Sequence, residues 1–238
     1  MVVALVFAGG TGQRMSSRSK PKQFLELHGK PIIVYTLEHF EYHEMIDQIL
    51  VVCLDGWQEE LGGLIKRYGL SKVKHIVTGG ATGHDSIYNG LDYLRGECKD
   101  EDIVLIHDGV RPLISKELIT ENIDAVKQYG NAITAETTRE SVLQSKDGKT
   151  VASVPARDEM FIAKAPQSFK FKDIMELYDL AKNNGHKSVD SAHLLSMYDR
   201  TIHLVHSPKN NIKITDPADY YIFRALYEAT ENQQIMGI

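Results

Sequence analysis

Short hydrophobic runs of strand length recur along the chain, and stretches with helical periodicity separate them. Four runs, VVALVF, ILVVCL, IVLIH and IHLVH, are almost continuously aliphatic. Such runs are typical of strands that other elements cover on both faces of a sheet. The predicted strands are residues 2–7, 49–54, 74–77, 103–107, 132–136, 202–206 and 211–214.

Amphipathic segments lie between most of these strands. The predicted helices are residues 31–42, 58–68, 85–95, 116–129, 172–183, 192–198 and 218–231. Ser115 precedes one helix as an N-cap, and Asp216 followed by Pro217 opens the last one. Strands that alternate with helices predict a single α/β domain over residues 1–238, with a Rossmann-like, doubly wound, mostly parallel sheet. Ligands of such sheets bind beyond the carboxyl ends of the strands.

One segment, residues 139–157, departs from this alternation. It contains two short runs, VLQS and TVASV, around an Asp147-Gly148 turn, which together form a β-hairpin signal. An isolated hairpin is marginally stable in water unless it packs on something. The hairpin therefore lies either on its own domain or against a second subunit, and we favour a dimerisation arm.

Composition limits the class of partner. The chain has 238 residues, of which 42% are hydrophobic and 25% charged, and its formal net charge is -5. A net negative chain is a poor match for nucleic acid, because a phosphate backbone needs a basic surface. Any anion that the protein binds must be held by a local group of basic side chains and backbone N–H groups.

The sequence carries no signal for a membrane or for an oxidising compartment. No apolar run approaches the roughly 20 residues of a membrane-spanning helix, and the first residues lack the features of a signal peptide. Cys53 and Cys98 match no metal or redox spacing, so we expect two free thiols. These features predict a cytoplasmic protein.

The first predicted strand runs into the segment AGGTG, and the basic residues Arg14, Lys20 and Lys22 follow it. Glycines allow the backbone to fold closely around a phosphate with its N–H groups directed inward. Arg14 and Lys22 add positive charge for a polyphosphate. An ordinary strand-to-helix turn with solvated basic residues is the alternative, but the grouping of cations favours phosphate binding.

Two well-known phosphate-binding motifs do not fit this turn. A dinucleotide fingerprint needs a third glycine at the position of Met15. A Walker A loop needs Lys and then Ser or Thr after its second glycine, whereas Gln13 and Arg14 follow Gly12. A mononucleotide triphosphate therefore fits better than a dinucleotide.

The segments AGGTGQRM and PKQF together resemble the nucleotidyltransferases of the cytidylyltransferase group. That group includes the methylerythritol-phosphate enzyme of isoprenoid synthesis and the ribitol-5-phosphate enzyme of teichoic-acid synthesis. Further family motifs follow in the same order, at residues 79–86, 107–112, 157–169 and 211–219. The resemblance covers nearly the whole chain and implies CTP and a small alcohol phosphate as substrates.

The resemblance also implies which residues bind the nucleotide. Arg14 and Lys22 would hold the triphosphate and act in catalysis by stabilising charge at the α-phosphate. Gly80 and Ser86 would read the edge of cytosine. The first glycine turn would wrap the nucleotide through Ala8, Gly9, Gly10, Thr11 and Gly12.

Asp108 ends the segment IVLIHD, at the sheet edge where ligands bind. The resemblance implies that it contacts the nucleotide and binds Mg²⁺, directly or through water. The alternative role is the N-cap of a short turn. We interpret the neighbouring His107 as a packed strand-end residue and not as a catalyst.

Four residues match positions that the family uses for the acceptor. Arg157 and Lys213 would grip the acceptor phosphate, and Lys213 is the third residue assigned to catalysis. Arg111 and Ser141 would reach across from the other subunit of a homodimer. In isolation each of the four would be an ordinary surface residue.

The sequence departs from the family pattern at two places. Gly83 and His84 stand in the cytosine loop where an Arg is usual, and near the acceptor APQ and VD stand where TPQ and TD are common. The valine of HDGVRP and Trp57 are similar to the ribitol-phosphate branch, although Trp57 equally suits packing at a helix start. We expect D-ribitol 5-phosphate as the acceptor, with 2-C-methyl-D-erythritol 4-phosphate as the alternative and other pentitol or glycerol phosphates open.

Two other functions stay open at this point. A non-catalytic nucleotide sensor of the same fold would be expected to lack Arg14, Lys22 or Lys213, and all three are present. A sugar-1-phosphate nucleotidyltransferase would instead use UTP or dTTP with a hexose 1-phosphate.

Overall fold

The structure is a computed structural model and describes residues 1–9 and 20–236. Its strands are β1 (Val2–Ala8), β2 (Glu26–Leu27), β3 (Lys30–Pro31), β4 (Gln48–Cys53), β5 (Val73–Thr78), β6 (Ile103–Asp108), β7 (Asn131–Thr137), β8 (Phe161–Lys170) and β9 (Leu204–His206). Its helices are α1 (Ile32–Glu41), α2 (Gln58–Tyr68), α3 (Gly83–Leu94), α4 (Lys116–Tyr129), α5 (Phe171–Asn183), α6 (Ser191–Met197) and α7 (Pro217–Met236).

The main sheet has the strand order β5-β4-β1-β6-β8-β7-β9, and β2 pairs with β3 in a separate ribbon. β1 pairs in parallel with β4 and β6, β4 pairs in parallel with β5, and β7 does so with β9. Only β8 runs antiparallel to its neighbours β6 and β7 in this sheet. The prediction of an α/β fold with a mostly parallel sheet is therefore confirmed.

The aliphatic runs form strands because helices cover both faces of the sheet. Along β1, Ala4 and Val6 point into a core shared with α1, α2 and α4. The alternate residues Val3 and Leu5 point into a second core shared with α3, α5 and α6. All four side chains are 0% exposed, so neither face of the central strand needs polar residues.

The strand prediction was wrong at three places, one of which is the short ribbon of β2 and β3 that it did not include. Residues 211–214 do not form a strand, because their backbone is held by single contacts: the N–H of Ile214, for example, donates to the carbonyl of Val110 over 2.9 Å. Conversely, β8 was missed, since its sequence FIAKAPQSFK contains polar residues and a proline and lacks a hydrophobic run. Its antiparallel direction allows the chain to return between β6 and β7 without a crossover helix.

The helices were predicted well, with ends that differ by a few residues. Ser115 caps α4 as expected, since its Oγ accepts the N–H of Leu118 over 3.2 Å. Thr82 caps α3 by accepting the N–H of Asp85, so this helix begins at Gly83. Among the described residues, no helix combines the length and the apolar character that crossing a membrane requires.

The predicted hairpin is largely irregular. Residues 139–157 contain one isolated antiparallel bridge, between Gln144 and Ser153, instead of two short strands. The turn itself is ordered by Asp147, whose carboxylate accepts the N–H groups of Lys149 and Thr150 and has a lowered pKa for that reason. Nearly all of the segment is exposed, so its own domain does not cover it.

His107 lies near the end of β6 and is 0% exposed. Its ring packs edge-on against Phe40 at 5.1 Å between centroids, and its Nε2 lies 3.1 Å from the carbonyl of Arg111. The interpretation of His107 as a packed strand-end residue is confirmed. Burial lowers its pKa to about 3, whereas an unfolded histidine titrates near pH ~6.5.

We expect the His107→Gln variant to lose part of the pH dependence of stability. Between the two pKa values the unfolded state binds a proton that the folded state does not, so acid destabilises the fold. From about pH 6 to 4, the free energy of unfolding should fall more steeply in the wild type than in the variant, by up to about 1.4 kcal/mol per pH unit. Urea unfolding at several pH values measures both slopes, and equal slopes would contradict a neutral, buried His107.

Candidate functional site

A cavity of about 290 Å³ lies beyond the carboxyl ends of β1 and β6, beside the first half of β8. This is the sheet edge at which the alternation of strands and helices predicted a ligand. Its polar lining comes from β6, β8, the start of α6 and the irregular segment before α7. These polar residues are Asp108, Arg111, Lys164, Gln167, Asp190 and Lys213.

Asp108 carries the central negative charge of the cavity. It is 4% exposed, its Oδ1 lies 2.5 Å from Nζ of Lys213, and its Oδ2 accepts Nε of Arg111 over 3.2 Å. Burial alone would raise the pKa of Asp108, but the two cations hold it well below its usual range. The two cations therefore keep the carboxylate ionised. Without them, a buried carboxylate would be costly in its charged form.

The two cations differ in exposure. The Arg111 side chain is 7% exposed, and its NH1 group also donates to the carbonyl of Asn211 over 2.7 Å. The Lys213 side chain is 40% exposed and stands over the ring of Phe7. Arg111 is thus a fixed part of the wall, whereas Lys213 faces solvent and can change partners.

Asn211 explains why an irregular segment holds Lys213 in place. Asn211 is 0% exposed, and its Nδ2 donates to the carbonyl of Ala165 and to Oγ of Ser207. The backbone carbonyl of Asn211 accepts hydrogen bonds from the side chains of both Arg111 and Lys164. These contacts join the segment before α7 to β8 and to the end of β6.

The described part of the first glycine turn meets the predicted cytosine loop. Ser86 lies at the junction: its Oγ accepts the N–H of Gly80 over 3.0 Å and donates to the carbonyl of Thr82 over 2.8 Å. A Cβ on Gly9 would lie 2.9 Å from this Oγ, and one on Gly80 would lie 2.4 Å from Cβ of Asp85. Both positions therefore require glycine, and the structure brings Ala8, Gly9, Gly80 and Ser86 together.

Four residues assigned to the nucleotide lie outside the described residues, namely Gly10, Thr11, Gly12 and Arg14. Lys22 is described and begins a short 3-10 turn, Lys22–Phe24. The next residue, Gln23, is 1% exposed and donates to the carbonyl of Ala8 over 2.6 Å, which ties this turn to the end of β1. Burial acts to raise the pKa of Asp219, but hydrogen bonds and the positive charge of Lys22 hold this pKa below its usual range. Lys22 therefore lies near the start of α7, where Asp219 is located.

His84 takes part in a contact that the sequence did not reveal. It is 7% exposed, its Nδ1 accepts Oγ of Ser188 over 3.0 Å, and its ring lies 4.8 Å from that of Tyr178. Burial lowers the pKa of His84. A neutral histidine thus links the predicted cytosine loop to the segment before α6.

The arm residues lie away from the cavity. Ser141 and Arg157 are exposed and do not line it in this chain. Arg111 does line it, in its own subunit, and its burial does not support the expectation that it reaches into another subunit. Trp57 stacks on Phe24 at 4.7 Å between ring centroids, which confirms its packing role.

Three polar residues of the cavity were missed as site residues. Gln167 donates to Asp190 over 3.2 Å and accepts the N–H of Ala192 over 2.9 Å, which fixes the start of α6 against β8. Lys164 could not be recognised because its strand was not predicted. The sequence indicated Gln167 and Asp190 only through the segments APQ and VD, which were noted as departures from the family pattern.

The residues present fit a magnesium ion only if it arrives with a substrate. Within the described ranges, no group of three or more His, Cys, Asp or Glu side chains could hold a metal ion. Magnesium usually binds one or two carboxylates together with substrate phosphates. Asp108 can supply one such carboxylate once Lys213 has moved away from its Oδ1.

Comparison with known proteins agrees with this geometry. The chain matches the IspD family model, described as 2-C-methyl-D-erythritol 4-phosphate cytidylyltransferase, over residues 2–228. A relative from Streptococcus agalactiae serotype Ia, named ribitol-5-phosphate cytidylyltransferase, is 46% identical over 100% of both chains. A relative of the same name from Vibrio parahaemolyticus is 44% identical over 100% of both chains.

Other relatives have names that refer to 2-C-methyl-D-erythritol. A Clostridium botulinum protein named 2-C-methyl-D-erythritol 4-phosphate cytidylyltransferase is 36% identical and covers 94% of this chain and 96% of its own length. The crystal structure of 4-diphosphocytidyl-2C-methyl-D-erythritol synthase from Anaerococcus prevotii matches with a TM-score of 0.83 at 27% identity, covering 95% of this chain and 96% of that chain. Because the family model and these relatives span almost the whole sequence, this chain belongs to the IspD family of cytidylyltransferases, which are nucleotidyltransferases.

Proposed function

We propose that this enzyme transfers the cytidylyl group of CTP to D-ribitol 5-phosphate and releases CDP-ribitol and pyrophosphate. The observation that carries the choice of acceptor is the 46% identity, over the full length of both chains, to a protein named ribitol-5-phosphate cytidylyltransferase. The cavity supports this chemistry because it places two carboxylates, Asp108 and Asp190, and three basic side chains at the ligand-binding edge of the sheet.

The proposed reaction is a displacement at phosphorus. An oxygen of the acceptor phosphate forms a bond to the α-phosphorus of CTP, and the bond from that phosphorus to the bridging oxygen of the β-phosphate breaks. Pyrophosphate leaves with the electron pair. No general base is required, because the attacking phosphate is already an anion, so the protein acts mainly by positioning and electrostatic stabilisation.

We assign the nucleotide to the side of the cavity where the two glycine loops meet. Gly9 and Gly80 let the two loops pack closely, because a Cβ on either would meet Ser86 or Asp85, and Ser86 holds the loops in register. Lys22, at the adjacent 3-10 turn, would approach the phosphates. Arg14 and the rest of the first turn would complete this part of the site.

We assign Asp108 to the magnesium ion that accompanies the triphosphate. When bound, magnesium would neutralise part of the negative charge of the phosphates. Lys213 is released from Asp108 in this scheme and can bind the acceptor phosphate, which its 40% exposure allows. Arg111 keeps Asp108 oriented, because its guanidinium stays bonded to Asn211.

The alternative acceptor is 2-C-methyl-D-erythritol 4-phosphate, which would belong to isoprenoid synthesis instead of cell-wall or capsule synthesis. The description of the matching family model and the 36% identical relative favour it. The ribitol reading rests on higher identity and on full coverage.

We also propose a homodimer formed through the arm at residues 139–157. The arm exposes Leu143, Val151 and Val154, which are 59%, 55% and 60% exposed. A second subunit would cover these side chains, and it would bring Ser141 and Arg157 of one subunit to the acceptor side of the other.

The acceptor is tested with a panel of alcohol phosphates. With CTP and Mg²⁺, pyrophosphate release should show a kcat/KM for D-ribitol 5-phosphate at least about tenfold above that for 2-C-methyl-D-erythritol 4-phosphate or glycerol 3-phosphate, a difference of about 1.4 kcal/mol. The reverse preference would favour the isoprenoid reading. Release from UTP with a hexose 1-phosphate would contradict both.

The role of Lys22 is tested by Lys22→Ala. Loss of a cation on the triphosphate should lower kcat by roughly 100-fold or more. The melting temperature should change little, because a loop charge contributes little to stability. Lys116→Ala is the matched control, since Lys116 is an exposed lysine that is bonded to Glu44 away from the cavity. Wild-type turnover in Lys22→Ala would remove this residue from the mechanism.

A further inference from the structure

Lys164 reaches the cavity because β8 is irregular at that point. Ala163 pairs with Ala135 of β7 and Gln167 pairs with Ile133, with a register shift between them. Residues 164–166 of β8 therefore lie opposite a single residue of β7, and this mismatch is a β-bulge. Bulges of this kind redirect a side chain and are common beside functional sites.

The contacts of Lys164 are strong and specific. Its Nζ lies 2.5 Å from Oε2 of Glu136 and donates to the carbonyl of Asn211 over 3.2 Å. The same carbonyl accepts the guanidinium of Arg111, which orients Asp108. Lys164 is therefore built into the same network as the groups that hold the reacting phosphates in the proposed function.

Apart from Asp190, which accepts a hydrogen bond from Gln167, the charges in and beside the cavity fall into two sets. Asp108 is paired with Lys213 and Arg111, which leaves positive charge available for phosphates. Lys164 is instead neutralised by Glu136, and both side chains are largely shielded, at 12% and 22% exposure. A neutralised donor and acceptor pair suits a neutral polar group better than a second phosphate.

We propose that Lys164, held in place by Glu136, forms a subsite for a hydroxyl group of the acceptor's polyol chain. The ammonium group donates a hydrogen bond to the hydroxyl oxygen, and the carboxylate of Glu136 orients and neutralises the ammonium. This inference rests on the proposed function and specifies how the same cavity recognises a polyhydroxylated acceptor. A site built to bond a hydroxyl discriminates against acceptors that lack it, because its buried polar groups are then left unpaired.

The subsite is tested with Lys164→Met, which keeps the length of the side chain and removes the charge. The acceptor KM for D-ribitol 5-phosphate should rise by about 10- to 100-fold, the range expected for a charge-assisted hydrogen bond to substrate. The KM for CTP should stay within about twofold. The preference for D-ribitol 5-phosphate over glycerol 3-phosphate, which has fewer hydroxyls, should narrow.

Lys170→Met is the matched control. Lys170 lies on the same strand and forms an ion pair of 2.7 Å with Glu101, but it does not line the cavity. This variant should keep wild-type kinetics with both acceptors. Equal losses in the two variants would mean that any ion-paired lysine on β8 acts through stability, which would overturn the proposal.

Glu136→Gln separates a hydroxyl subsite from a phosphate subsite. If Lys164 bound the acceptor phosphate, removal of the neighbouring carboxylate would leave its charge free and would lower the acceptor KM. The hydroxyl subsite predicts a higher acceptor KM, because the carboxylate that orients Lys164 towards the hydroxyl is lost.

The outcomes also distinguish this inference from the proposed function. A wild-type enzyme that releases no pyrophosphate with D-ribitol 5-phosphate would overturn both. A wild-type enzyme that uses this acceptor, combined with an unchanged acceptor KM and an unchanged preference in Lys164→Met, would overturn the subsite alone.

Discussion

The negative charge of Asp108, buried at the end of β6, is the constraint on which the site depends. A carboxylate that is 4% exposed remains ionised only beside cations, and Arg111 and Lys213 supply them. Arg111 in turn needs the carbonyl of Asn211, which fixes an irregular segment against β8. One buried charge thus explains why segments distant in sequence converge at the cavity, with one of its two cations buried and the other exposed.

Much of the fold could be predicted because hydrophobic burial determines it locally. The aliphatic runs of β1, β4 and β6 indicate strands covered on both faces, and caps such as Ser115 mark where helices begin. β8 was not predictable in the same way, since its position is decided by pairing with β6 and β7 and its sequence carries no hydrophobic pattern. The arm shows the opposite error: a strong turn signal at Asp147 is real, but the flanking residues form only one bridge.

The same division applies to the candidate site. Asp108 and Lys213 belong to compact motifs, so the sequence was sufficient to bring them into one hypothesis, and they do lie in contact. Lys164 and Glu136 lie on two strands whose register depends on a bulge, and no sequence motif records that pairing. Residues that belong to compact sequence motifs were therefore easier to find than residues that strand pairing brings together.

The most direct test of this account is a double-mutant cycle between Asp108 and Arg111, measured as the free energy of unfolding of Asp108→Asn, Arg111→Met and the double variant. Each single change removes the close ion-pair partner of a buried charge, so each should destabilise the fold by about 3 kcal/mol. The double variant should cost less than the sum, with a coupling energy of about 2 kcal/mol. Additive losses would contradict the claim that this ion pair organises the cavity.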